Sequence, residues 1–233
     1  MATLPHLPPM PEVHYPESDG EPMAETDTHW QATADLALML KDRYRDAADV
    51  YVASDNFIYY EEGNPRAALS PDVYVVFGVP KRLRRIYKLW EEGQSPAVVF
   101  EMTSRGTRQE DLGSKRALCA RLGVREYWLF DPELDYLHPA LQGYRLEGDQ
   151  YLPIARDAEG ALESTVLGLT LVLDGDRLAV LETSGGERLL RPDEVQHELR
   201  ALRAARGAAE AELARLRDEI ERLRRGESGT AAD

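Results

Sequence analysis

The chain has 233 residues, enough for one domain of ordinary size plus an appendage, and its 43% apolar content is adequate for one core. No stretch approaches the roughly 18 apolar residues that a bilayer span needs, and the single cysteine, Cys119, excludes an intrachain disulfide and a Cys-rich zinc site. A net charge of −14 runs against the basic excess usual in nucleic-acid binders, although local fields matter more than net charge for steering.

The first 27 residues are acidic and rich in proline, from Pro5 to Pro22, and predict an extended arm that packs late or not at all. They show neither the basic n-region nor the apolar h-region of a signal peptide, so a cytoplasmic location with no membrane association is expected. Asp27 or Thr28 can cap a helix from about His29 to Tyr44, with Leu36, Met39 and Leu40 at helical spacing.

Strands follow. Val50 to Ala53 and Phe57 to Tyr60 are β-prone and separated by a Ser54-Asp55-Asn56 turn. The runs 71–79 and 96–102 are almost continuously apolar, each opened by a proline, as in strands buried on both faces. Leu112 to Leu122 predicts one helix ended by Gly123, and Arg125 to Asp131 a third buried strand stopped by Pro132. From Tyr136 to Leu190, short apolar runs alternate with Gly and Asp turns, which predicts β-hairpins added to the main sheet.

The last segment differs in kind. Val195, Leu199, Leu202, Ala209, Leu213, Leu216, Ile220 and Leu223 alternate in steps of four and three, interrupted by Arg206 at a core position. That is a heptad seam, and it predicts a homodimeric coiled coil through residues 195–223. Glu212 with Arg217, and Glu219 with Arg224, occupy g and following e positions, where opposite charges would face each other in a parallel dimer. A single amphipathic helix packed on its own domain is the alternative. The expected organisation is an arm over 1–27, an α/β domain over 28–190, a coiled-coil helix over 191–225 and a frayed tail over 226–233.

Two acids stand out because they sit in apolar strands. Asp72 opens one run and Glu101 lies between Phe100 and Met102 near the end of another. Carboxylates are rarely buried unless paired or bound to metal. If the two strands run antiparallel, Asp72 and Glu101 become neighbours. Two close carboxylates repel, and a divalent cation such as Mg²⁺ removes the conflict. Pairing with Arg or Lys is the structural alternative.

Lys115 lies on the same side of its helix as Leu112, Leu118, Cys119 and Leu122, so it must meet an anion or snorkel outward. Glu101, at the end of the preceding strand, is the candidate anion. The basic run Lys81, Arg82, Arg84, Arg85 and Lys88 is the candidate nucleic-acid contact, flanked by Tyr59, Tyr60, Tyr87 and Trp90. The five histidines show no metal-ligand spacing, and no phosphate-cradling glycine loop appears.

Pro71-Asp72, Glu101-Met102-Thr103-Ser104, Asp111 and Lys115 together resemble the Uma-type endonuclease family. The same likeness runs through Asp55 to Phe57, Glu62 to Pro65, Tyr87 to Gly93 and Gly123 to Pro132, and covers about Asp19 to Leu190. It implies the restriction-endonuclease-like fold, a mixed sheet core with flanking helices, whose signature is P-D, a spacer, then (D/E)-x-K. It also implies Asp72 and Glu101 as metal ligands, Mg²⁺ (or Mn²⁺) as cofactor and a phosphodiester substrate; DNA is the expected one, with DNA versus RNA left open by the sequence. One departure stands in the signature: Thr103 occupies the lysine position. The resemblance implies that Lys115 supplies the missing amine from the following helix, with Thr103 and Ser104 in support. A catalytically inactive nuclease fold that recruits partners through its coiled coil remains open, as does a hydrolase of small phosphate esters.

Overall fold

The computed structural model describes residues 13–18 and 26–229, with side chains up to Arg222. Expectations placed on residues 1–12, 19–25 and 230–233, and on the side chains of Leu223 and Arg224 in the heptad seam, lie outside the described residues. The chain divides into two compact units, 1–189 and 190–233.

The first unit opens with helix α1, Asp27–Arg43, capped by the Thr26 hydroxyl, which accepts from the His29 amide at 3.2 Å. Leu36, Ala37, Met39 and Leu40 bury one side of α1. Strand β1, Val50–Ala53, follows, and then a small sheet of β2, Ile58–Tyr59, β3, Ala68–Leu69, and, later in the chain, β5, Tyr87–Lys88. Between them runs β4, Val73–Phe77. A one-turn helix α2, Leu89–Glu92, leads to β6, Val98–Met102.

The crossover from β6 to β7, Glu126–Phe130, is made by two helices, α3, Arg108–Leu112, and α4, Ser114–Arg121. The expected single helix is broken at Gly113, whose φ of −118° and ψ of −95° turn the chain sharply. A Cβ at Gly113 would lie 2.8 Å from the Gln109 carbonyl oxygen, so the turn closes only around glycine. Strands β8, Leu141–Glu147, and β9, Gln150–Pro153, complete a six-stranded sheet in the order β1-β4-β6-β7-β8-β9. Within it β6 and β7 are parallel and their other neighbours antiparallel. Such a mixed sheet with helices is the expected α/β class.

The central strands are buried on both sides, which accounts for their unbroken apolar runs. One face, with Val73, Val75, Val98, Phe100 and Trp128, packs against α1 and the later strands. The other, with Tyr74, Val76, Val99, Tyr127 and Leu129, packs around Cys119 and Leu118 of α4. Cys119 is a free thiol without exposure, a small core residue.

The C-terminal hairpins differ from expectation in part. β8 and β9 do extend the main sheet, but β10, Leu162–Ser164, β11, Leu169–Asp174, and β12, Arg177–Glu182, form a separate three-stranded antiparallel sheet. Leu162, Leu169, Leu171, Leu178 and Val180 turn their apolar face to the core around Trp128 rather than pairing edge to edge with it. The arm differs as well. Tyr15 packs against Tyr59 and Trp90, with ring centroids 5.0 and 5.3 Å away, and its hydroxyl accepts from the Gly63 amide at 2.6 Å. An aromatic ring with a polar tip finds both partners there, so this stretch of the arm docks.

The second unit contains helix α5, Pro192–Gly229. Pro192 suits a first helical position, and the Glu194 carboxylate reaches back to accept from the Arg191 amide at 2.8 Å. No helix among the described residues is long and apolar enough to cross a membrane.

Candidate active site

Antiparallel pairing of β4 with β6 sets Val73 opposite Phe100, so Asp72, one residue earlier, stands beside the Glu101 position at the same end of the sheet. The Asp72 carboxylate accepts from the Met102 amide at 2.5 Å, which fixes it to the end of β6. It also lies 3.4 Å from Nε2 of His29 at the start of α1. Glu101 has no solvent exposure. Its Oε2 accepts from Lys115 Nζ at 3.0 Å, while Oε1 has no hydrogen-bond partner among the described residues.

Lys115 reaches Glu101 because Gly113 breaks the crossover helix and aims the first turn of α4 at the sheet end. Its ammonium is also 3.0 Å from Oδ1 of Asp111, four residues earlier, an ion-pair distance without hydrogen-bond alignment. Asp111 is itself buried and held by its backbone, whose carbonyl accepts from the Tyr127 hydroxyl at 2.9 Å. Two carboxylates therefore contact one ammonium, and the charge of a third, Asp72, is felt by it.

The electrostatics follow from that imbalance. Burial pushes the Glu101 carboxyl well above the ordinary range; the Asp72 and Asp111 charges push the same way, and Lys115 opposes them. Burial works against the Lys115 charge, but Glu101, Asp111 and Asp72 outweigh it and hold the amine protonated. In this arrangement Lys115 is the hydrogen-bond donor to Glu101 and the counter-charge to Asp111.

Buried oxygen atoms without an aligned hydrogen bond mark the spot further. Glu101 Oε1, Thr103 Oγ1 and both Asp111 carboxylate oxygens have no hydrogen-bond partner among the described residues. Such a collection of hard oxygen atoms fits an oxygen-seeking cation. Among the described residues no group of three or more His, Cys, Asp or Glu is placed so that it could hold a metal ion. The protein oxygens at this end of the sheet do not make up the four-ligand set of a structural zinc site; a cation held there would have Asp72 and Glu101 as its carboxylates and water for the rest.

The remaining candidates divide. Thr103 is buried beside Glu101 on the same chain run. Ser104 faces the turn instead: its hydroxyl is 3.2 Å from that of Thr107, and its amide donates to Thr107 Oγ1 at 3.1 Å. The basic run is largely engaged within the fold. Lys81 donates to the Tyr44 and Arg45 carbonyls at 2.6 and 2.7 Å, satisfying the end of α1. Arg84 is nearly buried, bidentate to Glu92 at 2.7 and 2.8 Å, and stacked 4.3 Å over the Tyr51 ring. Lys88 pairs with Glu91 at 2.8 Å. Arg82 pairs with Glu92 at 2.7 Å and Arg85 with Glu17, but these two remain largely exposed. Of the flanking aromatics, Tyr59 and Tyr87 are core residues.

His29 is the site residue that the sequence reading passed over, while Asp111, named in the family resemblance, was given no role there. Asp111 had a local signal, an acid four residues before an inward lysine. His29 had none, because only the docking of α1 brings it to Asp72.

Comparison with known proteins bears on this geometry. A family model, Uma2, described as "Putative restriction endonuclease", matches residues 2–179. The chain belongs to the Uma2 family. The match spans Asp72, Glu101, Asp111 and Lys115 and stops before α5. Among solved structures, a putative nuclease belonging to DUF820 from Anabaena variabilis is similar at 13% identity, over 64% of this chain and 79% of that one, with a TM-score of 0.46. No curated protein matches the chain.

Proposed function

We propose that this Uma2 protein is a divalent-metal-dependent endonuclease that hydrolyses phosphodiester bonds of DNA. The observation that carries this reading is Glu101, a fully buried carboxylate beside Asp72 with one oxygen unpartnered and the other on Lys115. Membership of a family described as restriction endonucleases supports the reaction class.

Asp72 and Glu101 would hold the cation, Mg²⁺ or Mn²⁺. When bound, such an ion acidifies a coordinated water and stabilises charge on the scissile phosphate. The protein's own groups do the rest. The Met102 amide holds the Asp72 carboxylate in place, and Lys115, kept protonated, offers a fixed positive charge to a phosphate oxygen. Asp111 keeps that ammonium aimed at the site when Glu101 turns to other ligands. Arg82 and Arg85, the exposed members of the basic run, are the residues best able to meet a phosphate backbone.

The test is cleavage of supercoiled plasmid with Mg²⁺ or Mn²⁺ by the wild type and by Asp72→Ala. Loss of cleavage in the variant is expected. Equal cleavage by both would remove Asp72 and, with it, the proposal.

A second reading has its own support. Thr103 replaces the signature lysine, and Lys81, Arg84 and Lys88 are engaged inside the fold on a protein of net charge −14. An inactive nuclease fold that acts as an interaction protein fits those facts. It expects no cleavage with any metal and partner capture that depends on 195–223.

A further inference from the structure

Helix α5 carries an apolar stripe at heptad spacing. Val195, Leu199, Leu202, Leu213, Leu216 and Ile220 are between 38% and 71% exposed. With Leu199 at heptad position a, Arg206, Leu213 and Ile220 also fall at a, and Val195, Leu202, Ala209 and Leu216 at d. We propose that this stripe is the seam of a parallel, in-register, two-stranded coiled coil formed with a second copy of the same chain.

The flanking charges choose both the partner and the direction. The g positions are Glu198, Ala205, Glu212 and Glu219, and the e positions with described side chains are Arg203, Glu210 and Arg217. In a parallel pair each g residue faces the e residue five places on in the other helix. Glu198 then meets Arg203, Glu212 meets Arg217, and the remaining pairing, Ala205 with Glu210, is neutral. No like charges meet. In an antiparallel pair g faces g and e faces e. Because the g row contains no cation, no antiparallel register gives it an attractive partner. A glutamate-rich g row that meets the arginines of the e row in the parallel direction, and only itself in the antiparallel one, points to parallel self-association.

Arg206 sets the register. Its Nε is 2.7 Å from Oε1 of Glu210, one turn on at an e position, so the charge is balanced on its own helix and drawn toward the flank. In register, the two Arg206 residues share one layer. A slip of one heptad places each against Leu199 or Leu213 and creates two mismatched layers instead of one. A lone polar residue at an a position commonly fixes register and strand number in this way. Both chains enter the coil at Pro192, so both α/β units join it at the same end. Two sites acting from one end is the arrangement that cutting both strands of a duplex requires, but the coil itself does not depend on cleavage.

The test uses the full chain. Light scattering at about 20 µM, a concentration chosen to exceed a micromolar dissociation constant, should give twice the chain mass of 26.2 kDa. Leu199→Cys and Ile220→Cys are then treated separately with a short bismaleimide; the native Cys119 is buried and gives little background. Each variant alone should form a covalent dimer. A mass of one chain overturns the proposal, and so does crosslinking that appears only when the two variants are mixed, the mark of an antiparallel pair. As a check independent of new thiols, Glu212→Arg should weaken the dimer roughly tenfold and adding Arg217→Glu should restore it. Unchanged association in Glu212→Arg would also overturn the assignment.

Discussion

Two glutamates on neighbouring parallel strands, Glu101 on β6 and Glu126 on β7, have no solvent exposure, yet their surroundings are opposite. Glu126 accepts from Ser164 Oγ at 2.5 Å and from Trp128 Nε1, Thr165 Oγ1, the Val166 amide and Arg145 at 3.3 Å each. Those donors come from β7, β8, β10 and the turn after it, so the carboxylate ties the small sheet to the large one. Glu101 has one donor, an unpartnered oxygen and two acids nearby. Burial alone does not mark a functional acid. What distinguishes Glu101 is burial with one oxygen unsatisfied, the feature on which the proposed cation site rests.

That contrast can be broken by substitution. Glu126→Ala strands buried donors around a lost charge and should destabilise the fold by about 3–5 kcal/mol, measured by urea unfolding. Glu101→Gln should do the reverse: unfolding shifts by less than about 1 kcal/mol, since Lys115 keeps Asp111, while cleavage falls about 100-fold or more. Comparable destabilisation by both would erase the distinction. Lys115→Met, which keeps the aliphatic stem, should lower cleavage by roughly 10–100-fold with metal affinity retained, a split visible by calorimetry beside a plasmid assay.

Smaller effects sharpen the structural side. A Cβ on Gly143 would lie 2.6 Å from Cζ3 of Trp128, the residue paired across from it and a donor to Glu126. Gly143→Ala should therefore cost about 1–3 kcal/mol in unfolding and leave cleavage at the wild-type rate. The smallest effect belongs to Glu92. Hydrogen bonds from Arg84 hold its carboxyl below the ordinary range, against the opposing effect of burial. A lowered folded-state value means that the pair stabilises above the unfolded carboxyl value of about 4.3 and that this is lost as pH falls through the folded value. Glu92→Gln should be less stable than wild type by under about 1 kcal/mol at pH 7. The gap in urea midpoints should close toward pH 3.

The core was legible for a simple reason. Strands buried on both faces have no polar alternation to misplace, so β4, β6 and β7 stood out within a residue or two of their ends. The proximity of Asp72 and Glu101 followed once those strands were taken as antiparallel. What escaped depends on contacts far apart in sequence. Periodicity shows that β10, β11 and β12 are strands but not which sheet they join. Gly113 inside an otherwise helical pattern was a weak local signal for a break that in fact positions Lys115. The basic run was legible as a candidate nucleic-acid contact, but not the engagement of Lys81 and Arg84, because their acceptors lie at the end of α1 and on α2.

The measurement that bears most directly on the site is a calorimetric titration of Mn²⁺ and Mg²⁺ into wild type, Asp72→Ala, Glu101→Gln and Glu126→Gln under folded conditions. Binding by wild type and Glu126→Gln, lost in Asp72→Ala and Glu101→Gln, is the result expected of a cation site at the end of β4 and β6. Equal binding by all four proteins, or none by the wild type, would contradict it.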